Sequence, residues 1–374
     1  MNIQSAVLER YSRGASEVQP ALCCPVDYDA ELLKLLPTEI IEKDYGCGDP
    51  SRYIRPGDVV LDLGSGGGKI CYMAAQLVGK RGAVIGVDMN DAMLALARKY
   101  QRDMALKIGG DRVRFIKGYI QDLALDVDAM EDYLEQHPIR NATDLAGFEA
   151  WQQQQRAESP LIPDKSVDLV ISNCVLNLVD DAEKQQLVDE IFRVLKPGGR
   201  VAIADIVSDE IVPERLKRNR ELWSGCISGA FTEQGFLQAF LDAGFLAVGY
   251  DKWDALPWQV VDGVEFRSVT LTAAKGDDRV CLDTGQAVIY LGPYASVTDD
   301  EGHVFPRGER MAVCERTFEF LTEGPYKTDF VGVTPIEPRE PVTWCAPAGT
   351  RRPATETKEA IHQAASCHEG SSCC

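Results

Sequence analysis

Short runs rich in valine, isoleucine and leucine alternate along the chain with stretches where apolar residues recur every three or four positions. The first run is Val59-Val60-Leu61-Asp62-Leu63, and others follow at 83–88, 112–117, 166–172 and 200–206. Runs of this kind, separated by helical periods, predict parallel strands joined by crossover helices. The turn Lys196-Pro197-Gly198-Gly199 leads into the fifth. Residues 235–243 carry an amphipathic helical period that ends at Gly244, and 245–253 and 265–274 read as two closing strands, seven in all.

The flanks read differently. Residues 1–50 form a helical lead-in ending at Asp44-Tyr45-Gly46-Cys47-Gly48. Residues 122–164, rich in Asp, Glu and Gln, are too long for a simple connection and read as a helical insertion. Residues 280–335 carry short strand-like runs with turn signals, a small β-containing appendage. From 337 to 374 the composition turns to Pro, Thr, Ala, Glu and Lys and ends in Ser371-Ser372-Cys373-Cys374, which predicts a disordered tail.

The 374 residues, 45% of them hydrophobic, suffice for one large α/β domain with a smaller appendage. No run approaches the roughly 18 apolar residues of a membrane span, and the first 25 residues lack secretory order, so a cytoplasmic location is expected. A net charge of −19 without a basic cluster argues against nucleic acid. Twelve cysteines are many for a reducing compartment, and no CxxC pair is present. Standard zinc spacing is therefore absent, and metalloid or catalytic roles come forward.

The first strand runs into Asp62-Leu63-Gly64-Ser65-Gly66-Gly67-Gly68, and Asp88 stands 24 residues past Gly64 at the end of the second strand. Glycines permit a sharp turn with a ligand against the backbone, and a carboxylate at that strand end suits a ribose diol. A dinucleotide fingerprint needs a third glycine where this chain has Lys69. The GxGxG pattern instead suits S-adenosylmethionine, with Asp62 facing its ammonium group.

Five segments together resemble arsenite S-adenosylmethionine methyltransferases over roughly residues 20–335. They are Tyr45-Gly46-Cys47-Gly48, the Asp62 to Gly66 loop, Gly86-Val87-Asp88-Met89, Ser172-Asn173-Cys174-Val175-Leu176-Asn177 and Trp223-Ser224-Gly225-Cys226. The resemblance implies a class I methyltransferase-type, Rossmann-like seven-stranded α/β fold. Residues 1–50 would then be lead-in and cofactor lid, 51–278 the S-adenosylmethionine-binding domain, 279–336 the small domain and 337–374 the tail. It implies a cofactor pocket of Tyr45, Gly64, Asp88, Met89, Ile120, Gln121 and Asn173, to which the glycine-loop reading adds Asp62, Ser65 and Gly66. Gln121 stands where the family often has Glu. Cys47, Cys174 and Cys226 would bind arsenic, with Cys23 or Cys24 as redox partner, for Cys47 above all. Glutathione or thioredoxin would supply thiol reductant to a monomeric enzyme of arsenic detoxification.

Trivalent arsenic is soft and keeps a lone pair, so a pyramid of thiolates leaves that pair outward as a nucleophile. An ordinary cysteine near pKa 8.5 is only about 3% thiolate at pH 7, so capture releases protons. Converging thiols outperform separate ones because only the first capture is bimolecular. The lone pair carries no proton, so no general base is needed, consistent with four histidines (His137, His303, His362, His368) that all lie outside the motifs. Cys71 reads as helix packing, while Cys281, Cys314 and Cys345 take no role. Competing readings are a nucleic-acid base methyltransferase, a non-catalytic arsenite binder, and a methyltransferase for another soft metalloid or a small thiol. The first would need Pro-Cys or an Asn/Asp-Pro-Pro-Tyr motif, and this chain has Ser172-Asn173-Cys174.

Overall fold

Side chains of neighbouring residues on the first strand point to opposite faces and sort the sheet into two cores. Val60 joins Val84, Val113, Leu169, Ile171 and Ala202 against the helix Lys69–Leu77, whereas Leu61 and Leu63 join Val87, Ile116, Val170 and Ile203. This period of two, with both faces buried, explains why the strands read as nearly unbroken apolar runs. The computed structural model describes residues 3–19 and 26–357, which fall into two compact units, Met1–Gly276 and Asp277–Cys374.

The first unit contains β1 (Val59–Leu63), β2 (Ala83–Asp88), β3 (Val113–Lys117), β4 (Val167–Asn173), β5 (Leu195–Ser208), β6 (Phe231–Thr232), β7 (Phe245–Trp253), β8 (Gln259–Val261) and β9 (Val264–Lys275). Their order is β3-β2-β1-β4-β5-β9-β7, with β6 beside β5 and β8 beside β9. The first five are parallel, and β9 lies antiparallel between β5 and β7. The expected Rossmann-like path of seven strands is therefore present, widened by two short strands.

One element begins earlier than its sequence suggests. The Lys196-Pro197-Gly198-Gly199 turn is the irregular start of β5, because pairing with β4 jumps from Val167–Leu195 to Leu169–Arg200 and Gly198 sits at φ +75°. A glycine accepts that left-handed conformation at little cost, so the ladder absorbs a bulge instead of breaking. Between β3 and β4 lie the helices Val127–Gln136 and Ala142–Glu158, capped by the side chains of Asp126 and Asn141.

The second unit holds β10 (Leu282–Asp283), β11 (Ala287–Tyr290), β12 (Ser296–Thr298), β13 (Val304–Pro306), β14 (Arg310–Ala312), β15 (Phe330–Val333) and β16 (Val342–Thr343). Val288, Tyr290, Phe305, Met311, Leu321 and Phe330 form its core. Disorder expected from residue 337 onward does not hold over the described part of that segment. β16 pairs with β10, Cys345 is bonded to Cys281, and buried Arg352 donates to Asp283 and to the Gln286 carbonyl. These partners lie about 60 to 70 residues away in sequence, so local composition does not display them. Cys367, Cys373, Cys374 and His368 lie outside the described residues.

Candidate functional site

The turn after β1 is built on backbone that glycine favours. Gly64, Gly66 and Gly68 have φ of +69°, +50° and +86°. The N–H groups of Gly64 and Ser65 donate to the Val87 carbonyl, at 2.8 and 3.0 Å, which binds the loop to β2. Asp88 accepts from the N–H of Gly66 on one oxygen and from that of Asn90 on the other, both at 2.8 Å. A Cβ at Gly64 would come within 2.5 Å of Val175, while one at Gly66 would meet nothing within 4 Å. The loop thus turns its open side to a cleft.

That cleft contains about 1070 Å3 of space not filled by protein, and Tyr45, Asp62, Gly64, Ser65, Gly66, Asp88, Met89, Ile120, Gln121 and Asn173 all line it. Val7, Leu8 and Tyr11 of the N-terminal helix Ile3–Ser16 line it too, a contribution that no motif announced. Burial pushes the Asp62 carboxyl up to about 7, and burial also raises Asp88. Asp62 accepts the thiol proton of Cys71 at 3.1 Å, so Cys71, fully buried in its helix, has a polar role besides packing. Buried Ser65 Oγ has no hydrogen-bond partner among the described residues. An unsatisfied hydroxyl beside two costly carboxylates fits a polar, cationic ligand such as the amino-acid end of S-adenosylmethionine, while Met89 and Ile120 offer apolar surface to a flat ring. Gln121 Nε2 donates to Glu183 at 3.3 Å.

Three of the expected thiol positions meet at one end of this cleft. Asn173, the last residue of β4, accepts from the N–H groups of Cys47 and Gly48, at 2.9 and 3.0 Å, and donates to the Gly48 carbonyl at 2.9 Å. Lys69, buried and 2.5 Å from Asp44, ties the same segment to the helix after the glycine loop. Cys47 is thereby set against Cys174, and the two form a disulfide with a Cα–Cα distance of 5.8 Å. Cys226 Sγ donates to the Cys174 carbonyl at 3.1 Å and lies 3.9 Å from the Tyr11 hydroxyl. Cys174 and Cys226 adopt φ of +61° and +63°, a left-handed conformation rare for cysteine. Backbone strain of this kind concentrates at functional sites.

Several residues of this region escaped the sequence reading. Asp205 on β5 is 1% exposed, and its oxygen and the sulfurs of Cys47 and Cys174 lie within 4.8 Å of one another. Burial raises its carboxyl to about 7 against the backbone N–H bonds of Ile206 and Leu176. Asn177 donates to the carbonyls of Ile206 and Cys226, and Lys184 to that of Gly229, so both hold the Cys226 loop. Cys23 and Cys24, expected as redox partner of Cys47, lie outside the described residues.

Residues 54–133 and 127–244 match the family described as "Methyltransferase domain", and residues 277–362 match a "Domain of unknown function". The chain is 30% identical over 334 residues to an arsenite methyltransferase of Aquipseudomonas alcaligenes, covering 85% of this chain and 86% of that one. Identity to the arsenite methyltransferase of Mus musculus is 30% over 355 residues, covering 89% and 80%. A crystal structure of an arsenic (III) S-adenosylmethionine methyltransferase from Chlamydomonas reinhardtii superposes with a TM-score of 0.54 at 28% identity, covering 86% of this chain and 99% of that one. With the nucleotide-type cleft, the strand order and these relatives together, the chain belongs to the arsenite methyltransferase family.

Proposed function

We propose that the chain captures trivalent arsenic on the thiolates of Cys47, Cys174 and Cys226 and methylates it with S-adenosylmethionine held in the adjoining cleft. The observation that carries this reading is the position of Cys174, which lines the cleft, shares a bond with Cys47 and has Cys226 Sγ 3.1 Å from its carbonyl. The disulfide must first take up two electrons and two protons to yield two thiols. A thiol reductant such as glutathione or thioredoxin is the donor, with Cys23 or Cys24 as relay to Cys47.

Each arsenic–sulfur bond then forms as an arsenic-bound hydroxide leaves as water with the thiol proton. When bound, S-adenosylmethionine supplies an electrophilic methyl whose bonding electrons stay with its sulfur as the methyl joins the arsenic lone pair. Asp88 holds the ribose diol, Asp62 the ammonium group, and the glycine loop lets the ligand lie against backbone. Val7, Leu8 and Tyr11 act as a lid, residues 1–50 serving to keep water from the transfer. We assign residues 51–278 to catalysis and 279–336 to an appendage. Among the described residues no helix is long and apolar enough to cross a membrane, and a reducing cytoplasm, where the thiols stay available for arsenic detoxification, is the location we assign.

The test is to incubate the chain with S-adenosylmethionine, a thiol reductant and arsenite, and to separate methylated arsenicals by mass. Methylated arsenic that disappears in Cys174→Ser and in Cys226→Ser, with S-adenosylmethionine still bound, is the expected result. Parental rates in both variants would end the thiol-site reading.

A further inference from the structure

The third corner of the thiol site is a carboxylate. Cys47 Sγ, Cys174 Sγ and an Asp205 oxygen form the group whose ligand atoms lie within 4.8 Å of one another, and Cys226 stands outside that group. Asp205 is buried on β5 between Ala204 and Ile206, two members of the apolar cluster that contains the cysteines. It has no salt-bridge partner among the described residues. Its Oδ1 accepts the Ile206 N–H at 2.8 Å and its Oδ2 the Leu176 N–H at 2.9 Å. The Asn177 N–H bonds it as well, and a carboxylate can accept about four hydrogen bonds, so capacity for a further one remains within reach of the sulfurs. A buried, unpaired carboxylate is costly unless something donates to it.

We infer that Asp205 is a substrate-binding residue, whose carboxylate accepts a hydrogen bond from the hydroxyl that arsenite retains after two thiols have captured it. The inference rests on Cys47 and Cys174 being the capturing thiols. Arsenite carries three hydroxyls. Bond formation to the two cysteines expels two of them as water, each taking one thiol proton, and leaves a dithiol-bound arsenic with one hydroxyl. That hydroxyl occupies the corner where Asp205 stands. Cys226, already hydrogen-bonded to the Cys174 backbone, displaces it in a later exchange that releases the third water. The carboxylate therefore favours inorganic arsenite over arsenicals whose third substituent is carbon.

Phenylarsonous acid supplies the comparison, because it has two hydroxyls and spends both on the two cysteines. The experiment measures binding of arsenite and of phenylarsonous acid to the reduced full chain by equilibrium dialysis with arsenic counted by mass spectrometry. Asp205→Asn keeps the shape and one of the two acceptor oxygens that serve Ile206 and Leu176 but removes the charge, and Asp205→Ala removes shape, acceptors and charge. Arsenite affinity should fall about tenfold to a hundredfold, the range for a hydrogen bond to a charged group, while phenylarsonous acid affinity stays within about twofold. Equal losses for both arsenicals would reduce Asp205 to a structural role, and unchanged arsenite affinity would remove it from the site; either overturns the inference. Cys174→Ser should weaken both arsenicals. If it weakens neither, the dithiol reading has failed, an outcome separate from any result at Asp205.

Discussion

The Asn173 side-chain oxygen accepts the backbone N–H of Cys47 at 2.9 Å, across 126 residues of sequence, while Asn173 also lines the cleft beside the glycine loop. One side chain thus joins the cysteine cluster to the cleft proposed for the methyl donor. Replacing it with alanine leaves the buried N–H groups of Cys47 and Gly48 without an acceptor, each costing about 1–3 kcal/mol. Asn173→Ala should lower the melting temperature and reduce both S-adenosylmethionine affinity and arsenite turnover. Calorimetry and a methylation assay on one preparation check this, and loss of only one of the two would refute the coupling.

A glycine enforces the same contact. A Cβ at Gly46 would lie 2.2 Å from Asn173 Nδ2, whereas a Cβ at Gly66 meets nothing within 4 Å. Gly46→Ala should therefore displace Cys47 and cost about 1–3 kcal/mol. Gly66→Ala bears only the strain of its φ of +50°. The melting temperature of Gly46→Ala should lie below that of Gly66→Ala, and its rate of Cys47–Cys174 disulfide formation should drop.

Asp88 offers a cleaner separation of cofactor from substrate. It holds the N–H groups of Gly66 and Asn90, and among the described residues no hydrogen bond joins it to Cys47, Cys174 or Cys226. Asp88→Ala should weaken S-adenosylmethionine by about tenfold or more, as befits the loss of a charged acceptor, and leave arsenite binding unchanged. Titration calorimetry with each ligand decides, and an unaltered cofactor affinity would remove Asp88 from the ribose role.

Asp62 makes the cleft sensitive to pH. Its ordinary value is 3.8 and burial lifts it to about 7, so between these values the folded chain keeps a proton that the unfolded chain has released. Stability contributed by this group is greatest below pH 3.8, falls as pH rises to 7 by up to about 1.4 kcal/mol per unit, and is constant above. Asp62→Asn should show a stability advantage over the parent that grows from pH 5 to pH 7. A cationic ligand favours the ionised carboxylate, so S-adenosylmethionine affinity in the parent should rise across that interval and level off near 7. A flat affinity profile in the parent would contradict the ammonium role.

Removal of reductant tests the disulfide directly. With Cys47 and Cys174 joined, neither sulfur can bond arsenic. The oxidised chain should bind S-adenosylmethionine and yield no methylated arsenic, and added dithiol should restore turnover. Product formed by the oxidised chain, checked by mass, would show that these two cysteines are not the acceptor.

Sequence alone determined the sheet and the cofactor loop, because both are local. Alternating side chains give β1 its two buried faces, and the glycines and Asp88 belong to one strand–turn–helix–strand unit. It also marked Cys47, Cys174 and Cys226 through their resemblance to known motifs. Tertiary structure alone decided which sulfurs touch: Cys47 meets Cys174 over 127 residues because Asn173 holds its loop to the end of β4 and Lys69 holds it to the helix after the glycine loop. Asp205 was invisible for the same reason, since an aspartate inside an apolar strand declares its role only through neighbours from β4 and the 44–48 segment. The ordered stretch before residue 357 likewise depends on Cys345 and Arg352 reaching partners far back in the chain. Periodicity and turn chemistry act over a few residues, and contacts between distant segments exist only once the sheet has brought them together.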